Sequence, residues 1–94
     1  MLAQEPEDLF LNYATGIEYA AELNLDAAET SFKKVLELNA GYIPAFYQLG
    51  KLCELRLNIP EALRHYRSGL EQAILKKDHK AVNEFGEAIF MLED

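Results

Sequence analysis

Cysteine occurs only once, as Cys53, so no disulfide can form within the chain and a secreted, disulfide-stapled scaffold is excluded. Basic residues are scarce: 9 Lys and Arg stand against 16 Asp and Glu, a net charge of −7. Duplex phosphates and anionic lipid both repel a surface of that sign, so neither nucleic acid nor a membrane is an expected partner. The run Lys76, Lys77, Asp78, His79, Lys80 is a local exception. It reads as the solvated end of one helix and the loop after it, where cations suit the helix dipole. No stretch approaches the ~20 apolar residues that a membrane helix needs. The acidic start, Met1 to Asp8, lacks the basic and apolar regions of a signal peptide, and a cytoplasmic location is the expectation. Linkers, low-complexity tracts and Gly-rich phosphate loops are also missing.

What is present is apolar and periodic. Half of the 94 residues are hydrophobic and 11% are aromatic, enough for one small packed domain and too much for a disordered tail. Phe10, Tyr13, Ala14, Ile17, Ala20 and Ala21 follow the three-to-four spacing of a buried helix face. The same spacing recurs in Ala28, Phe32, Val35, Leu36, then in Phe46, Leu49, Gly50, Cys53, then in Ala62, Leu63, Tyr66, Leu70, and last in Val82, Phe85, Ile89, Leu92. Five helices are predicted. Asp26 with Glu29 reads as a capping box, Asp78 as an N-cap, and Gly41 as a left-handed helix stop. Pro44 and Pro60 fit first helical turns, where a missing N–H is no loss.

The chain also repeats itself. Leu23-Asn24-Leu25 returns 34 residues later as Leu57-Asn58-Ile59, and the same displacement carries Gly16 to Gly50, Ala28 to Ala62, Phe32 to Tyr66 and Leu36 to Leu70. Amphipathicity alone would not match a glycine, an alanine and an asparagine in one register. The unit Phe46-x2-Leu49-Gly50-x2-Cys53 followed by Ala62-x3-Tyr66 resembles the tetratricopeptide repeat, a helix–turn–helix of 34 residues. The first unit matches at Gly16, Tyr19, Ala28 and Phe32, with Asn12 and Thr15 at the other signature places. Val82-x2-Phe85-Gly86-x2-Ile89 restarts the pattern 36 residues beyond the second unit, a shift that a longer loop would explain. Each mid-helix glycine costs ~1 kcal/mol relative to alanine, so its recurrence predicts close helix–helix approach at Gly16, Gly50 and Gly86. Leu23 and Leu57 stand where the family often has glycine in the turn.

The resemblance implies an all-α fold, a right-handed α-solenoid of antiparallel helix pairs with five helices. Repeat one would cover about 9–42, repeat two about 43–76 and a capping helix about 78–93. It also implies a non-enzymatic module whose concave wall, built from the first helix of each pair, binds a peptide or protein segment. Carried over position by position, that wall comprises Phe10, Tyr13, Ile17 and Ala21, then Tyr47, Lys51, Glu54 and Leu55, then Asn83, Glu87, Phe90 and Met91. Members that grip a C-terminal carboxylate have Asn just after the helix glycine. Ile17, Lys51 and Glu87 stand there instead, so that clamp is not expected. A second reading is homo-oligomerisation, because the last helix ends Ile89-Phe90-Met91-Leu92, apolar on more than one side.

Catalytic chemistry is not legible. Ser31, Ser68, Cys53, His65 and His79 form no recognisable nucleophile–base pattern. Glu61 and His65 share a helix face but make only half of a metal-ligand pair. No cofactor or metal is expected.

Overall fold

The computed structural model describes residues 8–93, leaving most of the acidic start outside the described residues. Five helices follow one another: α1 (Leu9–Ala21), α2 (Leu25–Leu38), α3 (Ile43–Leu55), α4 (Ile59–Leu75) and α5 (His79–Leu92). Consecutive helices pack closely in α1/α2, α3/α4 and α4/α5, and α2 meets α3 along a narrower seam. The Cα trace measures 43 × 29 × 17 Å, a slab only two helices deep.

Three of the four turns share one construction. At the end of α1, Leu23 N–H donates to the Ala20 carbonyl (3.0 Å) and Asn24 N–H to that of Tyr19 (2.9 Å). After α3, Leu57 donates to Glu54 (2.9 Å) and Asn58 to Cys53 (2.8 Å); after α4, Lys77 donates to Ile74 (3.1 Å) and Asp78 to Ala73 (2.9 Å). This paired bonding is the Schellman motif, which satisfies the last carbonyls of a helix and requires a left-handed residue. Leu23, Leu57 and Lys77 supply it with φ of 62°, 62° and 56°. The residue after each then caps the next helix. Asn24 accepts from Ala27 N–H (3.4 Å), Asn58 from Glu61 N–H (3.4 Å) and Asp78 from Ala81 N–H (3.1 Å). The left-handed turn is thus made without glycine.

A left-handed conformation costs an L-residue roughly 1–2 kcal/mol, and glycine returns about half of that as extra disorder in the unfolded chain. Leu57 is 84% exposed, so little packing is lost with it. Leu57→Gly should therefore stabilise the fold by about 0.5–1 kcal/mol, raising Tm by several degrees. Calorimetry on Leu23→Gly, Leu57→Gly and Lys77→Gly would check this; a lower Tm in all three would show that the side chains matter more than the backbone strain.

Several expectations are corrected. The cap of α2 is Asn24, not Asp26, which lies in the first turn with its carboxylate paired to Arg56. Gly41 has no positive φ; its N–H bonds the Asn39 side chain (3.1 Å) and its carbonyl accepts from Lys76 Nζ. The 36-residue shift comes from the helix rather than the loop: α4 has 17 residues where α2 has 14. On α1 the buried residues are Asn12 and Gly16, while Phe10, Ala14, Ile17 and Ala21 are exposed. Asn12 tolerates burial because its Nδ2 donates to the Asp8 carbonyl at 2.8 Å.

The core has two parts. Ala28, Phe32, Leu49 and Leu52 form one, with Tyr13, Tyr19, Ala20, Leu25 and Leu36 against it. Ala62, Tyr66, Ala73, Ala81 and Phe85 form the other. Glycines let the aromatic rings in. A Cβ at Gly16 would lie 2.6 Å from Phe32 Cε1, and one at Gly50 would lie 2.6 Å from Cδ1 and Cζ of Tyr66. The sequence pattern does not single out Gly69, yet Phe85 presses on it in the same way, with Cε1 2.5 Å from where a Cβ would be. Gly86 breaks the series, with nothing within 4 Å of its would-be Cβ. The expected close approach fails there because no described helix follows α5.

Candidate functional site

A cleft of about 670 Å³ opens on the side of α3 and α5, lined by Tyr47, Lys51, Glu54, Tyr66, Glu84, Glu87, Ala88 and Met91. Its floor is aromatic. Tyr47 rests 5.7 Å, centroid to centroid, from both Tyr66 and Phe85, in tilted and edge-on arrangements. Such offset contacts let rings pack against their own quadrupoles and hold the floor in place. Lys51 Nζ sits 5.8 Å from the Tyr47 ring centroid, within cation–π range. The Tyr66 hydroxyl donates to the Glu54 carboxylate. Burial first, and that carboxylate second, push the Tyr66 phenol far above its ordinary range, so it remains a neutral donor.

A smaller cavity of about 290 Å³ shares Tyr47 and extends to Tyr13, Ile43, Pro44, Gln48, Asp78, Lys80, Ala81, Glu84 and Phe85. Tyr13 tilts against Phe32 (5.6 Å) and stands edge-on to Tyr42 (5.6 Å). Gln48 Nε2 reaches its hydroxyl at 3.5 Å, and burial raises the phenol's pKa.

Of the residues carried over to the concave wall, Tyr47, Lys51, Glu54, Glu87 and Met91 come together in the larger cleft, and Tyr13 joins Tyr47 in the smaller. Neither tyrosine is freely exposed; both are half-buried under neighbouring rings. Phe10 and Ile17 lie on the surface of α1, with Phe10 edge-on to Tyr42 at 6.5 Å. Asn83 and Phe90 are exposed on α5 and line neither cavity. Glu84 and Ala88 were not among the selected positions. On α5 they share a face with Glu87 and Met91, so the three-to-four periodicity holds the only signal for them.

The groups considered for chemistry have structural settings. Cys53 is half-buried, and burial, then Glu61 and Glu29, raise its thiol pKa, opposite to what a nucleophile needs. His65 is 7% exposed, and burial, then Arg64, lower its pKa. Glu61, its neighbour one turn earlier, accepts from Arg64 Nε (3.0 Å) and a terminal nitrogen (2.7 Å). Among the described residues no group of three or more His, Cys, Asp or Glu is placed to hold a metal ion, and no helix is long and apolar enough to cross a membrane.

Solved structures place this architecture. The solution structure of a tetratricopeptide repeat domain protein from Salinibacter ruber is 31% identical to the chain, with a TM-score of 0.86 over 94% of this chain and 89% of that one. The chain belongs to the tetratricopeptide repeat family. A crystal structure of a tetratricopeptide repeat domain protein from the same organism agrees at 28% identity and TM-score 0.82, covering 90% of this chain and 94% of that one. So does the solution structure of a protein from Bordetella parapertussis, 28% identical with TM-score 0.86, over 98% of this chain and 80% of that one. No protein-family model and no curated protein sequence matches the chain. As a tetratricopeptide repeat protein it has the fold of modules that generally serve protein–protein interaction. Two of its three Schellman turns, those at Leu23 and Leu57, stand where the family resemblance led to an expectation of glycine.

Proposed function

We propose that this tetratricopeptide repeat domain is a non-catalytic binding module that holds a peptide or protein segment in the cleft of α3 and α5. The observation that carries the reading is the cleft itself: an aromatic floor of Tyr47 and Tyr66 beneath a rim of Lys51, Glu54, Glu84 and Glu87, closed by Met91. Aromatic and Met side chains bury large area for modest ordering cost, which is why they concentrate in interfaces. Three carboxylates against one ammonium favour a ligand that brings a cation beside an apolar side chain. Glu54 is occupied by Tyr66, leaving Glu84 and Glu87 to meet that cation.

Fluorescently labelled peptides bearing Leu or Met next to Lys or Arg, with acid-for-base counterparts, provide the probe. The basic set should bind, more weakly as salt rises, and the joint change Glu84→Lys, Glu87→Lys should lower affinity at least ~10-fold, the loss of about 1.4 kcal/mol. Tyr47→Ala should do the same if circular dichroism shows the fold retained. Equal binding of acidic and basic peptides, or an unchanged affinity in the charge-reversed variant, would remove the cleft from consideration.

A further inference from the structure

Gly16, Gly50 and Gly86 occupy one register position on the first helices α1, α3 and α5. The first two are buried beneath an aromatic ring from the following antiparallel helix, Phe32 over Gly16 and Tyr66 over Gly50. Gly86 is exposed, with open space where its Cβ would be. One turn further on, Phe90 is 77% exposed. Phe90 corresponds to Glu54, the residue on α3 that receives the hydroxyl of Tyr66 from α4. Gly86 and Phe90 therefore lie on the side of α5 from which a packing helix approaches in the earlier pair. That face carries both halves of the contact that closes each hairpin: the bare glycine and the aromatic ring.

We propose that this face pairs with itself in a second copy of the chain. Two α5 helices run antiparallel about a two-fold axis level with Ala88, and Phe90 of each copy covers Gly86 of the other. A two-fold interface must be self-complementary, and a glycine and a ring four residues apart on one face satisfy that condition twice over. The interface continues the helix-on-helix packing of α1/α2 and α3/α4 with the same glycine–aromatic element. The exposed side chain of Phe90 gains burial that it lacks in the monomer, and Met91 (75% exposed) borders the contact. A single helix pair lies at the low end of stable interface sizes, so the dissociation constant should be on the order of micromolar. Each copy carries −7, which opposes association. Screening relieves this repulsion, so the dimer strengthens with salt, whereas capture of a cationic peptide in the cleft weakens.

Sedimentation equilibrium of the full chain, from dilute protein to on the order of 1 mM, at low and high salt, tests the proposal. A monomer–dimer equilibrium that tightens with salt is expected. Phe90→Glu should weaken it at least tenfold, and so should Gly86→Gln, which leaves the dilute protein as helical and no less thermally stable. A strict monomer throughout, a higher oligomer, or a dimer that survives either substitution would overturn the pairing. None of these results bears on peptide binding in the cleft, which the charge-reversed variant addresses separately.

Discussion

Gly50→Ala will destabilise the protein by about 2 kcal/mol, while the identical change at Gly86 will stabilise the dilute protein by about 1 kcal/mol. The chemistry is the same at both places. Alanine ordinarily improves a helix interior because it loses less backbone freedom on folding. At Gly86 nothing opposes that gain. At Gly50 the new methyl would lie 2.6 Å from two ring atoms of Tyr66, a residue that is 1% exposed and tethered through its hydroxyl to Glu54. The ring has no free direction in which to retreat, so the overlap outweighs the propensity. Denaturant melts of the two variants decide the matter. In a Tyr66→Leu background the penalty at position 50 should shrink by at least half, since the branched aliphatic chain ends sooner; an unchanged penalty would locate the strain elsewhere.

Phe85→Ala should remove ~3–5 kcal/mol, much of the ~5–14 kcal/mol that a chain of this size has in total. The Phe85 ring touches Gly69 and sits 5.7 Å from Tyr47 and 6.3 Å from Tyr66, so its loss empties the middle of the second core. Contacts in a helical stack run mainly between adjacent elements, and α5, the last described element, packs chiefly on α4. Hydrogen exchange should show α5 losing protection first, with α1 and α2 close to their original values. Uniform loss of protection along the chain would contradict this picture. The first pair offers a partial remedy, because Val35 and Leu49 stand where the second has Gly69 and Phe85. Gly69→Val alone should unfold α5 from its seat, and Gly69→Val with Phe85→Leu should restore much of the stability.

The residues that fixed the architecture in advance were those with a steric reason to repeat. Gly16 and Gly50 recur with Phe32 and Tyr66 because ring and bare backbone form one contact, and neither half works without the other. Leu23-Asn24 and Leu57-Asn58 recur because one turn needs a left-handed residue followed by a cap. Periodicity misled on α1, where Phe10 and Ile17 looked buried but the glycine contact turns Asn12 and Gly16 inward. Gly86 misled for the opposite reason: its register is right, but burial depends on a following helix that the residue itself does not encode. The cleft was half legible. Tyr47, Lys51, Glu54 and Glu87 follow from repeat position, whereas Glu84 and Ala88 depend on how α5 is rotated upon α4, a matter settled by Phe85 on Gly69.

Arg56, at the end of α3, reaches back to Asp26 and to Glu29 (2.8 Å) on α2. It thereby bridges the seam where consecutive helices share the least contact. Glu29 also pairs with Lys33 (2.9 Å), and hydrogen bonds from Lys33 and Arg56 hold its carboxyl below the usual range. The seam is held by the buried Phe32, Leu49 and Leu52, and its edge is latched by these exposed charges. Mobile ions slacken such a latch while leaving the hairpins intact. The smaller cavity, which runs from Tyr13 on one hairpin to Tyr47 on the other, lies across that seam. Salt therefore loosens one edge of the frame around this cavity, while Phe32, Leu49 and Leu52 keep its two sides together.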